Sequence, residues 1–185
     1  IVHTPHGIVV HTGDFKFDLS PMGSSPTDMA KIATLYNQNV LALLSDSTNA
    51  ESPGHQISEK NISETLEHIF HQASGRIIIG TFASLLGRIQ QIIWLAEKIG
   101  RKVLAEGYGM KSNIEIAQKL GYLKVKKGTL INIKEFEKIP DDKIIILCTG
   151  AQGEGKAALM RIVNKEHKKI NIKKGSYLKI FMNIR

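Results

Sequence analysis

The chain has 185 residues, 42% hydrophobic and 23% charged, and a formal charge of +8. This is ordinary globular composition for one domain or a domain and a half; it excludes a disordered tail, and no apolar run approaches the roughly 18 residues of a spanning helix. A single cysteine, Cys148, excludes a disulfide framework and a cysteine-built zinc site. The charge is lopsided: residues 1–123 carry 10 basic and 11 acidic side chains, whereas residues 124–185 carry 15 and 6. That asymmetry fits a surface meeting a polyanion, or equally a solvated lysine-rich face. The chain has no leader-like segment, which points to the cytoplasm. It opens at Ile1 inside what reads as a strand, and so reads as a fragment.

In chain order, the first fifty residues read as two short strands, a helix and a third strand. Ile8-Val9-Val10 is β-branched and follows Gly7. Pro26-Thr27-Asp28 opens a helix through about Asn37, with Thr27 as its cap. Val40–Leu44 is a continuous apolar run, the mark of a strand covered on both faces. It ends in Ser45-Asp46-Ser47-Thr48-Asn49, five small polar residues where ligands sit in open α/β sheets.

After Ser52-Pro53-Gly54 helices and strands alternate. Helices are predicted at about 58–73, 85–99, 112–120 and 157–164, and strands at 76–81, 102–105 and 143–148. Strands separated by helices of about 10–15 residues mean a parallel, doubly wound sheet with helices on both faces. The predicted boundary gives domains 1–52 and 53–185.

Three features bear on chemistry. Asp14, on the Gly13 turn after a strand, is placed either to hold a metal or simply to make the turn. His3, His6 and His11 match no zinc spacing and read as surface hairpin histidines. Gly150 and Gly155-Lys156 have the spacing of a phosphate-binding loop between a strand and a helix, but Ala157 stands where that motif needs Ser or Thr for magnesium. A nucleotide binder at Gly150–Lys156 is the weakest alternative.

Four segments change the weighting by occurring in one order: His11-Thr12-Gly13-Asp14-Phe15-Lys16-Phe17-Asp18; Leu44-Ser45-Asp46-Ser47-Thr48-Asn49-Ala50-Glu51; Thr81-Phe82-Ala83-Ser84 with Arg88-Ile89-Gln90-Gln91; and Leu147-Cys148-Thr149-Gly150-Ala151-Gln152-Gly153-Glu154. Together they resemble the ribonuclease J family, metallo-β-lactamase-fold nucleases with an inserted β-CASP domain. The resemblance implies a partial metallo-β-lactamase portion over 1–52 and an incomplete β-CASP domain over 53–185. It implies a zinc-dependent hydrolase of RNA phosphodiester bonds with two Zn²⁺ ions, acting as a 5′-to-3′ exonuclease with internal cleavage also known. Asp14 then matches the acid bridging the metals. Asp46 matches the acid that orients a catalytic histidine or assists proton transfer, and Ser84 the serine that helps hold the RNA 5′-monophosphate. RNA is the implied partner, no membrane is involved, and a homo-oligomer of the full-length parent stays open.

The departures are equally specific. The family's His-x-His-x-Asp-His motif is expected upstream of Ile1, and its His-x-Ser-Gly-His and Pro-x-His-Gly-Glu motifs beyond Arg185. Gly155-Lys156 follows Gln152-Gly153-Glu154 where proline is usual, and Gly87 stands where larger residues are common. After Gly175 the tail 176–185 is expected to lie outside the family pattern. This chain alone is therefore expected to be inactive. From a different class, a non-catalytic RNA-binding module is the alternative.

Overall fold

In the computed structural model, which describes residues 1–21 and 25–181, Val2–Thr4 (β1) and Gly7–His11 (β2) pair antiparallel with Val2 opposite Val9. Their tight turn is closed by Thr4 Oγ1 donating to the Gly7 carbonyl at 2.6 Å. A short helix, Met29–Ala33 (α1), runs on into a single 3₁₀ turn at Thr34–Asn37. Its cap is Asp28, not Thr27: the helix begins one residue later than the sequence suggested, and the Asp28 carboxylate accepts the Lys31 N–H at 2.9 Å. Val40–Leu44 (β3) lies parallel to β2, with His11 opposite Leu44, and completes a sheet ordered β1-β2-β3.

The strand at Val40–Leu44 was expected to be covered on both faces, yet all five of its residues are exposed. Val40, Leu41, Leu43 and Leu44 keep 38%, 54%, 63% and 49% of their surface. An apolar run reports the strand; cover depends on what packs over it, and no described residue closes either face.

The chain divides into two compact units, Ile1–Ile62 and a second from Ser63 onward. The second contains most of Glu59–Gln72 (α2), then Ile77–Gly80 (β4), Leu86–Lys98 (α3), Lys102–Glu106 (β5) and Tyr108–Lys119 (α4). After these come Leu130–Ile131 (β6), Ile133–Phe136 (α5), Ile144–Cys148 (β7), Ala158–Val163 (α6) and Tyr177–Ile180 (β8). The five strands are all parallel, ordered β6-β5-β7-β4-β8. This is the α/β sheet the alternation predicts.

The winding follows from strand order. From β4 the chain moves toward β5 and β6, then returns to β7 and β8 on the other side. Because parallel crossovers are right-handed, the reversal sends α3 and α4 to one face and α5 and α6 to the other. Burial agrees: Ile78, Leu104, Ile144, Ile146 and Cys148 form one core with Phe136, Leu159 and Ile162 of α5 and α6. The alternate residues Ile77, Ile79, Val103, Ile145 and Leu147 are fully buried on the opposite face. The core helices show matching stripes, such as Leu66, Ile69 and Phe70 on α2 and Met110, Ile114 and Ala117 on α4.

The sequence pattern predicts no strand beyond β7. Tyr177–Ile180 enters the sheet as its edge strand, in register with β4 from Ile77↔Tyr177 to Gly80↔Ile180. Central burial gives a first expected result. Ile145 sits at 0% exposure on β7, between β5 and β4. Ile145→Ala should lower unfolding stability by about 2–5 kcal/mol, read in denaturant melts, because the packed neighbours collapse only partly into the vacated space. A loss below about 0.5 kcal/mol would mean this core is not tightly packed.

Candidate functional site

In the first unit, β2 and β3 run parallel, so the turns leaving them emerge at one sheet edge. The turn after β2 is possible because Gly13 takes φ +60°, and its amide donates to His11 Nδ1 at 2.9 Å. Thr12 joins the two turns. Its N–H donates to the Leu44 carbonyl at 3.0 Å, and its Oγ1 accepts the Asp46 N–H at 3.0 Å while donating to the Gly13 carbonyl at 2.7 Å. Asp46 is half-buried, and its Oδ1 accepts the Thr48 N–H at 3.0 Å in a side-chain turn. Asp14 is exposed on the adjoining turn.

Asp14 and Asp46 are thus brought to one sheet edge by the same threonine. Sequence reasoning missed Thr12; the signal available was a hydroxyl residue directly after a strand. His3, His6 and His11 are exposed on the hairpin, with His11 engaged in the turn.

Beyond this edge, Asp18 fastens the turn segment to the start of α2. Its Oδ2 accepts the Glu59 N–H at 2.8 Å and its Oδ1 the Ser20 N–H at 2.9 Å, while Lys16 Nζ lies 3.6 Å from Oδ2. The Glu59 amide above all, then the Ser20 amide, the Ser58 hydroxyl and Lys16, outweigh desolvation and hold the carboxyl below its ordinary value. Since the folded pKa is depressed, the anchoring is fully present above the unfolded value of about 3.9 and is lost as pH falls through the folded one. The Glu59 amide resonance should therefore shift below about pH 4, and Asp18→Asn should abolish that titration.

Among the described residues no three of His, Cys, Asp and Glu stand together to hold a metal ion. Asp14 offers a single carboxylate, so these residues alone do not fit a two-zinc centre.

In the second unit, neighbouring strands β4 and β7 send their chains to opposite faces of the sheet, and such a reversal opens a crevice at the strands' carboxyl ends. Ser84 lies on the β4 side, exposed in a turn where Leu85 N–H donates to the Phe82 carbonyl at 3.2 Å. From α4, Asn113 Nδ2 donates to the Ala83 carbonyl at 2.9 Å and pins that turn. Ser84 is not a helix cap: α3 begins at Leu86, Leu85 is its N-cap residue, and no side chain caps it. One turn into α3, the buried Arg88 lays its guanidinium over Phe181, 4.7 Å from the ring centroid.

On the β7 side lies the loop 149–156. Gly150 takes φ +112°, and a Cβ there would come within 2.8 Å of Ala157 Cβ. Gly107 at the end of β5 has φ +99°, and a Cβ would fall 2.6 Å from Thr149 Oγ1, so these strand ends approach closely on glycine alone. Glu106 receives Lys111 Nζ at 2.8 Å and faces His167 Nε2 at 3.6 Å. Desolvation pushes its pKa up, but Lys111, the Gly107 amide and His167 together bring it below the ordinary value. Cys148 is buried, and desolvation followed by the Glu106 charge drives its thiol up to about 12, so it is no nucleophile. The helix after this loop begins at Ala158 and has six residues.

The family profile described as "Ribonuclease J, beta-CASP domain" matches residues 74–183. That range takes in β8, so the expectation that residues after Gly175 leave the family pattern is overturned as far as residue 183. Among curated proteins the chain is 44% identical to Ribonuclease J of Thermus thermophilus over 175 residues, 95% of this chain and 30% of that protein. It is 44% identical to Ribonuclease J of Synechocystis over 174 residues, 94% of this chain and 27% of that protein. To Ribonuclease J2 of Bacillus subtilis it is 42% identical over 172 residues, 93% of this chain and 31% of that protein. The chain thus spans roughly 30% of the length of these relatives.

Proposed function

We propose, from the premise that the chain belongs to the ribonuclease J family through its β-CASP domain, that the protein carrying this segment is a ribonuclease that hydrolyses RNA phosphodiester bonds. The observation supporting this is the identity of 44% to Ribonuclease J of T. thermophilus, which runs across 95% of the chain and so includes both units. The finer reading is a zinc-dependent 5′-to-3′ exonuclease, also able to cut internally, in the cytoplasm. Bound zinc would supply Lewis-acid chemistry at the scissile phosphate, and its remaining ligands would come from sequence outside this chain.

Asp14 would contribute one carboxylate to that centre from a turn fixed by Gly13 and Thr12. Asp46, its carboxylate steadied by the Thr48 amide, would orient a histidine or take part in proton transfer. Ser84 would donate its hydroxyl to the 5′-phosphate. There α3 opens without a side-chain cap, and a helix start of that kind favours anions.

The test is digestion of RNA carrying a radiolabelled 5′-monophosphate by the longer protein. Release of mononucleotides from the 5′ end supports the reading; intact RNA in the presence of zinc overturns it. The 185-residue chain assayed alongside should leave RNA intact and bind zinc weakly. Stoichiometric tight zinc on this chain would return attention to His3, His6 and His11.

A further inference from the structure

At the opposite edge of the five-stranded sheet, where β4 and β7 begin, lies a hollow of about 300 Å³ lined in part by Arg76, Phe136, Pro140, Asp141, Lys169 and Lys173. That volume is at the lower end of small-ligand pockets. Arg76 is 5% exposed, and its guanidinium sits 5.1 Å from the centroid of the Phe136 ring. One arm donates to the Asn171 carbonyl at 3.3 Å and another pairs with Asp141, while the buried Nε has no hydrogen-bond partner among the described residues.

A desolvated guanidinium therefore meets a single carboxylate, and that carboxylate is divided. Asp141 also receives Lys173 Nζ at 2.9 Å, and its side chain is 36% exposed. Lys169 Nζ stands 2.8 Å from Glu137 Oε1 on the rim. Three cations thus face two carboxylates, and residues 165–174 add Lys165, Lys168 and Lys174 against Glu166 alone. A phosphate carries more charge than one carboxylate and matches a guanidinium fork with ammonium groups around it.

We infer that this hollow is a phosphate-binding site, in which an inorganic phosphate or the phosphate of a nucleotide displaces Asp141 from Arg76 and is held by Arg76, Lys169 and Lys173. The site lies at the other end of the strands from Ser84 and stands apart from the ribonuclease reading.

The test titrates the 185-residue chain with inorganic phosphate at ionic strength matched by sodium chloride, following backbone amides by NMR. Saturable shifts at Ile139 and Asn171, with none from chloride, are expected. In a second arm, adenosine 5′-monophosphate binding about tenfold tighter than phosphate identifies a nucleotide as the source; equal or weaker binding identifies free phosphate. Lys169→Gln combined with Lys173→Gln alters exposed side chains and should weaken phosphate binding by about tenfold. Asp141→Asn should strengthen it several-fold and make the variant's Tm rise more with phosphate than the parent's. Lys119→Gln, at an exposed lysine outside the hollow, should leave binding unchanged. The inference is overturned by shifts no larger than those with chloride, by indifference to the double lysine change, or by an Asp141→Asn variant with a lower Tm and no gain in phosphate affinity.

Discussion

Asp14→Asn, introduced into the longer protein, should reduce RNA hydrolysis by on the order of 10²-fold or more while the fold survives. The change keeps size and removes charge. A carboxylate offers two anionic oxygens that can be shared between cations, whereas an amide offers one neutral oxygen and a donor that repels them. The turn itself is closed by other groups: Thr12 through Asp46 and Leu44, and His11 Nδ1 through the Gly13 amide. With Asp14 exposed outside those bonds, its replacement should leave Tm nearly unchanged. Activity, zinc content per chain and Tm measured on one preparation separate the outcomes. Lost activity with reduced zinc, and a Tm unmoved when both proteins are compared metal-free, is expected. Full activity with zinc retained would remove Asp14 from the metal site, and a large fall in Tm would make it a structural turn residue.

What the sequence reveals depends on whether a feature is local. The isoleucine runs at Ile77–Ile79 and Ile144–Ile146 announce buried strands because consecutive apolar residues suit a sheet covered on both faces, and they are fully buried. The same kind of run at Val40–Leu44 forms a strand yet stays exposed, since cover comes from elsewhere in a polypeptide and is not written in the run. β6 has two residues and β8 includes Lys179 within a lysine-rich stretch, so neither carries a strand pattern that survives inspection by itself. β8 is held instead by register with β4. Asp28 displaced Thr27 as cap on a shift of one residue, a detail that propensity does not resolve. At the candidate site, Asp14, Asp46 and Ser84 stand in segments legible as motifs. The Thr12 bridge needs the His11↔Leu44 register, and the Arg76–Asp141 pair joins positions 65 residues apart. Neither is visible until the strands are paired.

Ser84→Ala should then separate two substrates. Ser84 is exposed, and α3 starts after Leu85 with no side-chain cap, so removing the hydroxyl takes away no helix-capping bond. The cost in stability should stay within about 0.5 kcal/mol, the range for surface changes away from such features. A hydrogen bond from a hydroxyl to a charged phosphate is worth about 1.5–3 kcal/mol, which corresponds to a loss of roughly ten- to hundredfold. That loss should fall on exonucleolytic attack from a 5′-monophosphate, while internal cleavage, which does not present a 5′-phosphate to this turn, should be largely spared. Ser84→Thr, which keeps the hydroxyl, should recover much of the activity. The Ala83 carbonyl pinned by Asn113 keeps the turn in place in either variant. Rates on 5′-monophosphorylated RNA, rates on an internally cleaved substrate and Tm from the same protein decide the matter. Equal losses on both substrates with a lowered Tm would make Ser84 a structural residue, and unchanged rates on both would move the 5′-phosphate contact elsewhere on the strand-end crevice.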